Sequence, residues 1–522
     1  MSKSSKRRPC PAAGREITAA ECGAGRQSRF ACPADCPFNP FAPQNYSDYL
    51  ELEESFDLAM MERLRLGGSD PASLQKSYFE RLTPKDTFGI SSVLAWHWFF
   101  LVDAQGKTLV DRWEAENFSG LKNDHRVLMG YRRKSRIALL EVHRLVGMEQ
   151  MEVVDLLESN SAPFVLHDRA LASTAVRFTV WIAWVHATPH YHRIIGSIGN
   201  LVQVRAMEPR QVLLELCRHL GGPEEPSALR RWLAENLNEV MDASSATQQA
   251  RHYDMIQRLE ADLIQADYSL KVPIADFCKC LEGQGDVVSA PLAEAERLEG
   301  YDAGWVVLHR SSASGAPGNT QGGADFRLGR ILLGPSGCRI VAVGTTSFGM
   351  LQAIFESVAG PAAQFVSKSC EDLRPRLSPD ATPPDMTLVP PALMVNPTKL
   401  EFAQKAIPSS DPFGPSDEDT KKVMHEADRA FLEEGVPALE GKTPREAAAD
   451  PRLRPVLILL MKERIRTCDE RNLVNGETED MNWMLVELGL NEILFDPPPP
   501  RDRPPVTNPP QDGTNAKDWD EE

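Results

Sequence analysis

Four cysteines near the start of the chain are the residues best suited to chemistry beyond packing. They are Cys10, Cys22, Cys32 and Cys36, four of the ten cysteines in a chain of 522 residues. Thiolates are soft ligands for Zn²⁺, and a closed four-sulfur shell can order a short segment that has too little apolar surface to fold alone. Cys32 and Cys36 have the spacing of a zinc knuckle, whereas Cys10 and Cys22 stand singly. The sequence predicts a structural zinc site, and the alternative is a set of free thiols in a flexible arm.

Three histidines, His186, His190 and His192, form a second candidate site. Alternate residues of a strand share a face, so His190 and His192 are expected to point together, with His186 reaching them across the Pro189 turn. A metal-dependent hydrolase built on them would also need an open coordination position and a general base. No carboxylate lies beside them in the sequence. The alternative is that these side chains belong to an exposed hairpin surface.

A basic run, Arg132, Arg133 and Lys134, carries the third hypothesis, a nucleic-acid-associated regulator. Its alternative is a solvated helix end, where cations complement the helix dipole. The formal net charge of −17, from 57 basic and 74 acidic residues, repels polyanions and argues against broad nucleic-acid binding.

Sequence signatures of common catalytic sites are absent from the chain. We find no nucleophile elbow and no phosphate-binding loop, and His425 and Glu426 lack the second histidine of a metalloprotease helix. The longest apolar run, at 93–102, is too short to cross a bilayer, and no secretory leader is recognisable. We therefore expect a cytoplasmic protein that makes no membrane contact, in which reducing conditions favour metal-bound or free thiols over disulfides.

Length and pattern predict a multidomain α+β protein. We expect a Cys-rich zinc segment at 1–45, a helical domain at 46–130, a small β-barrel at 131–200 and a helical connector at 201–258. An α+β sandwich at 259–370, a proline-rich linker at 371–415, a helical protein-binding module at 416–495 and a disordered tail at 496–522 follow.

Several local patterns support this division. Short β-rich runs at 137–144, 151–158, 163–167, 176–187 and 191–198 predict a five-stranded barrel. Helices are expected at 46–66 and 71–82, and aromatic residues at 89–117 predict two helices joined by a turn at 103–107. Thr443, Pro444 and Glu446 meet the capping-box rule for a helix start. Phe38 and Phe41 are expected to dock the cysteine segment onto the helical layer.

Three stretches resemble known bacterial proteins. Leu140-Glu141-Val142, Val154-Asp155-Leu156-Leu157 and His167-Asp168-Arg169, together with Leu328-Gly329-Arg330, are similar to uncharacterised bacterial zinc-chelating or SEC-C-associated multidomain proteins. The segment PALEGKTPREA at 437–447 resembles the helical toxin-binding domain of Xre/ParS-type antitoxins, which implies a protein-binding surface. The leading hypothesis is a non-enzymatic, zinc-binding cytosolic adaptor that binds a protein partner through its C-terminal module.

Overall fold

The computed structural model describes residues 7–66, 98–99, 101–103, 105–158, 161–309, 326–335, 337–377, 383–395, 425 and 428–501. These residues divide into two compact units. Unit 1 holds the described residues of 1–248, 385–397 and 413–522, and unit 2 holds those of 249–384. The predicted mixture of helices and strands with a small five-stranded barrel is confirmed, and the strands of the other described sheets pair antiparallel. In the described ranges, no helix is both long and apolar enough to cross a membrane.

Unit 1 begins with a hairpin of β1 (Arg7–Cys10) and β2 (Arg15–Thr18), followed directly by α1 (Ala19–Gly25). The predicted long helix is present as α2 (Tyr46–Leu66). Two shorter helices, α3 (Leu109–Ala115) and α4 (Asn123–Arg132), pack with α2 in one apolar core. The helix predicted at 71–82 and most of the aromatic segment at 89–100 lie outside the described residues.

A closed barrel follows the helical layer. Its strands are β3 (Arg136–Leu145), β4 (Gln150–Asp155), β5 (Phe164–His167), β6 (Val180–Ala187) and β7 (His192–Asn200), with α5 (Arg169–Thr174) between β5 and β6. They pair in the order β3-β4-β5-β7-β6, with β5 and β7 parallel and the other neighbours antiparallel. Alternate residues fill the interior, while Leu139, Ile182 and their neighbours pack against the helices. The fourth strand begins later than predicted because Arg177 and Phe178 turn toward the C-terminal helices.

Three helices lead out of the barrel: α6 (Pro209–His219), α7 (Pro226–Glu235) and α8 (Leu237–Arg258). Leu213, Leu216 and Leu233 are fully buried in the same core as the helical layer. The segment predicted as a connector therefore contributes to the core of unit 1.

Unit 2 is one antiparallel sheet covered on one face by helices. Its elements are β8 (Asp262–Leu270), α9 (Ile274–Glu282), β9 (Val287–Ala290), α10 (Glu294–Leu298), β10 (Ala303–His309), β11 (Phe326–Gly334), β12 (Gly337–Val343), α11 (Thr345–Ala359), β13 (Ala363–Asp372) and α12 (Arg374–Leu377). The strand order is β13-β8-β12-β11-β10-β9. Phe277 of α9 and Phe355 of α11 pack on Ile264 and Ile340 of the sheet. The four-residue β9 is too short to give a sequence pattern and was not predicted.

The C-terminal module contains a helical stretch at 428–433, α13 (Pro444–Ala449), α14 (Arg454–Asn475) and α15 (Asn482–Leu488). The predicted capping box is confirmed: the Glu446 N–H donates to Thr443 Oγ1 at 3.2 Å, and the Thr443 N–H donates to Glu446 Oε2 at 2.8 Å.

The C-terminal module packs against the barrel inside unit 1. Arg177 is 1% exposed, and its Nε and Nη2 donate to the two Asp469 carboxylate oxygens of α14 at 2.8 Å each. Arg177 Nη1 also donates to Asn482 Oδ1 and to the Phe495 carbonyl oxygen at 2.8 Å. A second link joins Lys462 Nζ to the buried Glu141 carboxylate at 2.7 Å. The module is therefore held to the barrel by buried ion pairs.

Two segments that were predicted to be irregular make tertiary contacts in their described parts. Leu393 lies inside the predicted linker but is fully buried in the main core, because the 3-10 helix Pro391–Met394 carries it there. The tail was predicted to be disordered from 496, yet Arg501 donates to the carbonyl oxygens of Ala172 and Ala175 at the end of α5. The amino-acid composition of these segments can be read from the sequence, but the tertiary contacts that order them cannot. The glycine-rich stretch at 311–323, SSASGAPGNTQGG, lies outside the described residues.

Candidate metal centre

The four predicted cysteines come from different local structures and meet in one place. Cys10 ends β1, Cys22 lies in the middle of α1, and Cys32 and Cys36 flank a turn in which the Cys36 N–H donates to the Pro33 carbonyl oxygen at 3.3 Å. All four are buried free thiols, each 6–8% exposed. We call them the cysteine cluster.

The cysteine cluster lines a single cavity of about 10 Å³, together with Arg8, Ile17 and Phe38 among others. A space of this size is close to the lower limit for holding one water molecule. Within the described residues, however, no group of three or more Cys, His, Asp or Glu side chains has the geometry of a metal site as it stands. The thiols therefore surround a common space without forming a coordination shell, and binding an ion would require their side chains to close on it.

A glycine allows the chain to return from Cys22 to Cys32. The Gly25 carbonyl oxygen accepts from the backbone N–H groups of Arg29 and Phe30 at 2.8 Å each. A Cβ atom at Gly25 would lie 2.6 Å from the Phe30 ring, closer than side chains tolerate. Phe30 packs against the small apolar group that contains Cys10 and Cys22, so Gly25 leaves room for a ring that supports the cysteine cluster.

The backbone around Cys32 is held by side-chain amides. The Cys32 carbonyl oxygen accepts from Gln27 Nε2 at 3.1 Å and from Asn39 Nδ2 at 3.4 Å. His190 Nε2, from the turn between β6 and β7, lies 3.3 Å from the same oxygen. Asn45 Nδ2 donates to the Cys36 carbonyl oxygen at 3.1 Å. These contacts fix both knuckle cysteines and link them to the barrel.

The cysteine segment is docked on α4. Arg26 forms an ion pair with Asp124, and Asn123 Nδ2 donates to the Arg26 carbonyl oxygen at 2.9 Å. Phe41 is fully buried and makes edge contacts with Tyr49 and Tyr131. Of the two phenylalanines predicted to dock, only Phe41 enters the core.

Phe38 instead remains 37% exposed, and the Arg8 guanidinium lies 4.1 Å from its ring centroid. This pair forms one side of the cavity that the cysteines share.

Burial and mutual repulsion disfavour ionised thiols in the cysteine cluster when no cation lies beside them. Burial raises the pKa of the Cys32 thiol, the Gln27 hydrogen bond opposes that effect, and proximity to Cys36, Cys22 and Cys10 raises the pKa further. Four ionised sulfurs in this space repel one another, so they require a cation between them.

A second polar group, which we call the charge cluster, joins α2 and α4 to the barrel through Glu53, Asp57, Arg132, Asp168 and Arg193. Arg132 donates to Glu53 at 2.7 Å and to Asp57 at 2.6 Å. Arg193 donates to Glu53 at 2.8 Å and to Asp168 at 2.9 Å. Burial opposes ionisation of Glu53, but Arg193 and Arg132 outweigh it and lower its pKa to about 2.

The charge cluster was not predicted from the sequence, because its members are far apart in the chain. Arg132 was expected at a solvated helix end, and that expectation was wrong: its side chain is 5% exposed and held by two carboxylates. Arg133 pairs with Asp111 and Glu114. Of the predicted basic run, only the exposed Lys134 has no ion pair among the described residues, so these residues form no continuous cationic surface.

The three histidines of the predicted hydrolase site are not brought together. His186 is 1% exposed beside the charge cluster, where burial and the nearby Arg132 lower its pKa to about 3. His192 packs against the Phe164 ring at 4.2 Å between centroids. His190 precedes β7 and contacts Cys32, so it does not share a strand face with His192.

Several residues around the cysteine cluster had no recognisable signal in the sequence. Asn39 and His190 support Cys32 from 7 and 158 positions away, and an isolated asparagine or histidine predicts no such contact. Gly25, inside the predicted cysteine segment, was also not singled out.

The chain was compared with protein-family models, curated proteins and solved structures, and none of them matches it.

Proposed function

We propose that the chain is a non-enzymatic, zinc-binding cytoplasmic adaptor that binds a protein partner through its C-terminal module. The observation that carries the proposal is the convergence of Cys10, Cys22, Cys32 and Cys36 on one cavity of about 10 Å³. Zn²⁺ bound by four thiolates is a closed structural site with no position for substrate, which suits a role in architecture.

The surroundings of the cysteine cluster fit such an ion. Four thiolates around Zn²⁺ carry a net charge of −2, and a cationic neighbour, Arg8, lines the same cavity. The cysteine segment has only a small apolar cluster of its own, in which Ile17 is the largest fully buried side chain. Metal binding would therefore supply order that packing does not.

The protein-binding role is assigned to exposed apolar residues of the C-terminal module that are not committed to the barrel. Asp469 and Lys462 are committed to the barrel, whereas Val486 of α15 is 64% exposed and Val474 of α14 is 57% exposed. The resemblance of 437–447 to a toxin-binding antitoxin domain favours a protein-binding role for the same module. An apolar patch on a protein partner would complement these valines.

Metal content tests the zinc part of the proposal. We expect about one zinc per purified chain, lost when Cys22 or Cys36 is changed to serine. Cys280→Ser, at an exposed free cysteine, is the matched control and should keep the metal. Zinc retained in the Cys22→Ser and Cys36→Ser variants would contradict the site.

Affinity capture with the intact chain tests the adaptor part. Deleting the module would leave Arg177 and Glu141 buried without their partners, so point variants are the sharper tool. Val486→Asp should lose specific partners, whereas Leu58→Asp, at a 56% exposed residue of α2, should keep them. Recovery of the same partners by both variants, or their loss from both, would overturn the assignment.

A further inference from the structure

Strand β13 lies at one edge of the sheet in unit 2 and is unusually open. It pairs with β8 on one side, and no described strand pairs with its other side. Every residue of β13 after Ala363 is exposed, including Phe365 at 52% and Val366 at 61%. An edge of this kind presents unpaired backbone groups that can accept a further strand.

The second half of β13 is regular enough to template such pairing. A bulge lies between Phe365 and Ser367, but from Ser367 to Asp372 each residue has a β8 partner in unbroken register. Bulges and lysines protect edges from indiscriminate pairing. In β13, six consecutive residues, SKSCED, follow the bulge. They have a defined register with β8 and carry both positive and negative charges.

The charge pattern of these six residues is self-complementary in one register. Lys368, Cys370 and Asp372 lie on the sheet face that carries Ala266 and Ile264. Directly opposed residues of antiparallel strands share a face, so a twofold pairing must match residues of that set with one another. With Cys370 at the twofold axis, Lys368 of each copy faces Asp372 of the other.

Neighbouring registers lose this match. Centring the pair on Ser369 places Lys368 opposite Cys370, centring it on Lys368 opposes two lysines, and centring it on Glu371 opposes two glutamates. Like charges directly opposite one another are destabilising, and opposite charges favour pairing. Arg374 bonds Asp372 only through Oδ1, and the other carboxylate oxygen has no hydrogen bond among the described residues.

We infer that β13 is a self-association surface whose occupant is β13 of a second copy of this chain. The two strands pair antiparallel about Cys370, and the six-stranded sheets of both copies become continuous. This surface is separate from the cysteine cluster and from the proposed adaptor face, so the inference is independent of both.

Sedimentation of the intact chain with a charge-swap series tests the inference. The wild type should form a dimer, Lys368→Glu should weaken it at least about tenfold by opposing two acids, and Lys368→Glu with Asp372→Lys should restore it. Lys279→Glu makes the same charge change at an exposed residue of α9 and should leave the dimer intact. A wild type that stays monomeric, or a double variant as weak as the single, would overturn the inference.

Cysteine cross-linking tests the register separately. Opposed residues of an antiparallel pair lie within disulfide range, so mild oxidation should join two chains through Cys370. Cys370→Ser should abolish the covalent dimer, and Cys280→Ser, at the other exposed free cysteine, should not. A covalent dimer that survives Cys370→Ser would contradict the register.

Discussion

The cysteine cluster and the charge cluster, both in unit 1, handle buried polar groups in opposite ways. The charge cluster pairs acids with bases from its own chain, as Arg132 and Arg193 both bond Glu53. The cysteine cluster gathers four acids of one kind around a common space. Burying a polar or charged group costs free energy unless a hydrogen-bond or charge partner is buried with it.

The difference favours the cysteine cluster over the charge cluster as the candidate ligand site. Within the charge cluster, the partners are already present, so its function is to join α2 and α4 to the barrel. The cysteine cluster instead brings four thiols to one common space, so under the proposed function their partner is a bound cation. The first cluster should therefore respond to substitution and acid, and the second to metal removal.

The largest expected effect is the loss of a partner from the charge cluster. Arg132→Met leaves Asp57 without its cation and should lower the free energy of unfolding by about 3–5 kcal/mol, measured by urea denaturation. Arg133→Met removes the neighbouring arginine, whose side chain is 31% exposed, and should change stability by less than about 1 kcal/mol. Equal effects of the two substitutions would show that the buried network is not a stabilising link.

Acid should weaken the charge cluster through Glu53. Because arginines lower the Glu53 pKa from its ordinary 4.5 to about 2, its contribution is fully present above pH 4.5 and is lost as the pH falls toward 2. Glu53→Gln should lower the free energy of unfolding by about 2–3 kcal/mol at neutral pH and flatten its acid dependence. Glu54→Gln, at an exposed position of α2, is the control and should keep the wild-type stability at neutral pH.

A smaller effect is expected from closing the space beside the cysteine cluster. Gly25→Ala places a Cβ against the Phe30 ring and should destabilise the protein by about 1–3 kcal/mol while speeding zinc release to a chelator. Gly23→Ala, in the same helix, has no atom within 4 Å of its new Cβ and should retain zinc like the wild type. If both variants release zinc at the same rate, the packing of Phe30 does not shape the site.

The smallest effect is expected where the barrel touches the cysteine cluster. His190→Ala removes one contact to the Cys32 carbonyl oxygen and should reduce stability by about 1 kcal/mol, with modestly faster zinc release. His252→Ala, at an exposed residue of α8, is the control. Thermal unfolding with and without a chelator would show whether the His190 effect depends on the metal, as we expect.

Local pattern predicted much of the secondary structure. The alternation in β4 and the capping box at Thr443 are set by neighbouring residues, and both were readable from the sequence. The cysteines could be named because their residue type restricts their chemistry. Their convergence on one cavity could not be derived from spacing, since Cys10 and Cys22 reach it from a strand and a helix.

Long-range contacts account for what the sequence did not predict. In the sequence, Arg132 has the position of a residue at a solvated helix end. In the fold, Glu53 and Asp57 of α2 lie beside it and pair with it. Leu393 lies in a proline-rich stretch, and only the tertiary fold gives it a core to enter. The three histidines satisfied a spacing rule, but the turn before β7 separates their side chains.

X-ray absorption at the zinc edge of the purified full-length chain tests the central claim most directly. Tetrahedral zinc held by the cysteine cluster should show a first shell of four sulfur atoms at about 2.3 Å. Cys22→Ser should abolish that shell, while Cys280→Ser should leave it unchanged. A first shell of nitrogen and oxygen atoms, or a zinc-supplemented chain that binds no zinc, would contradict the account.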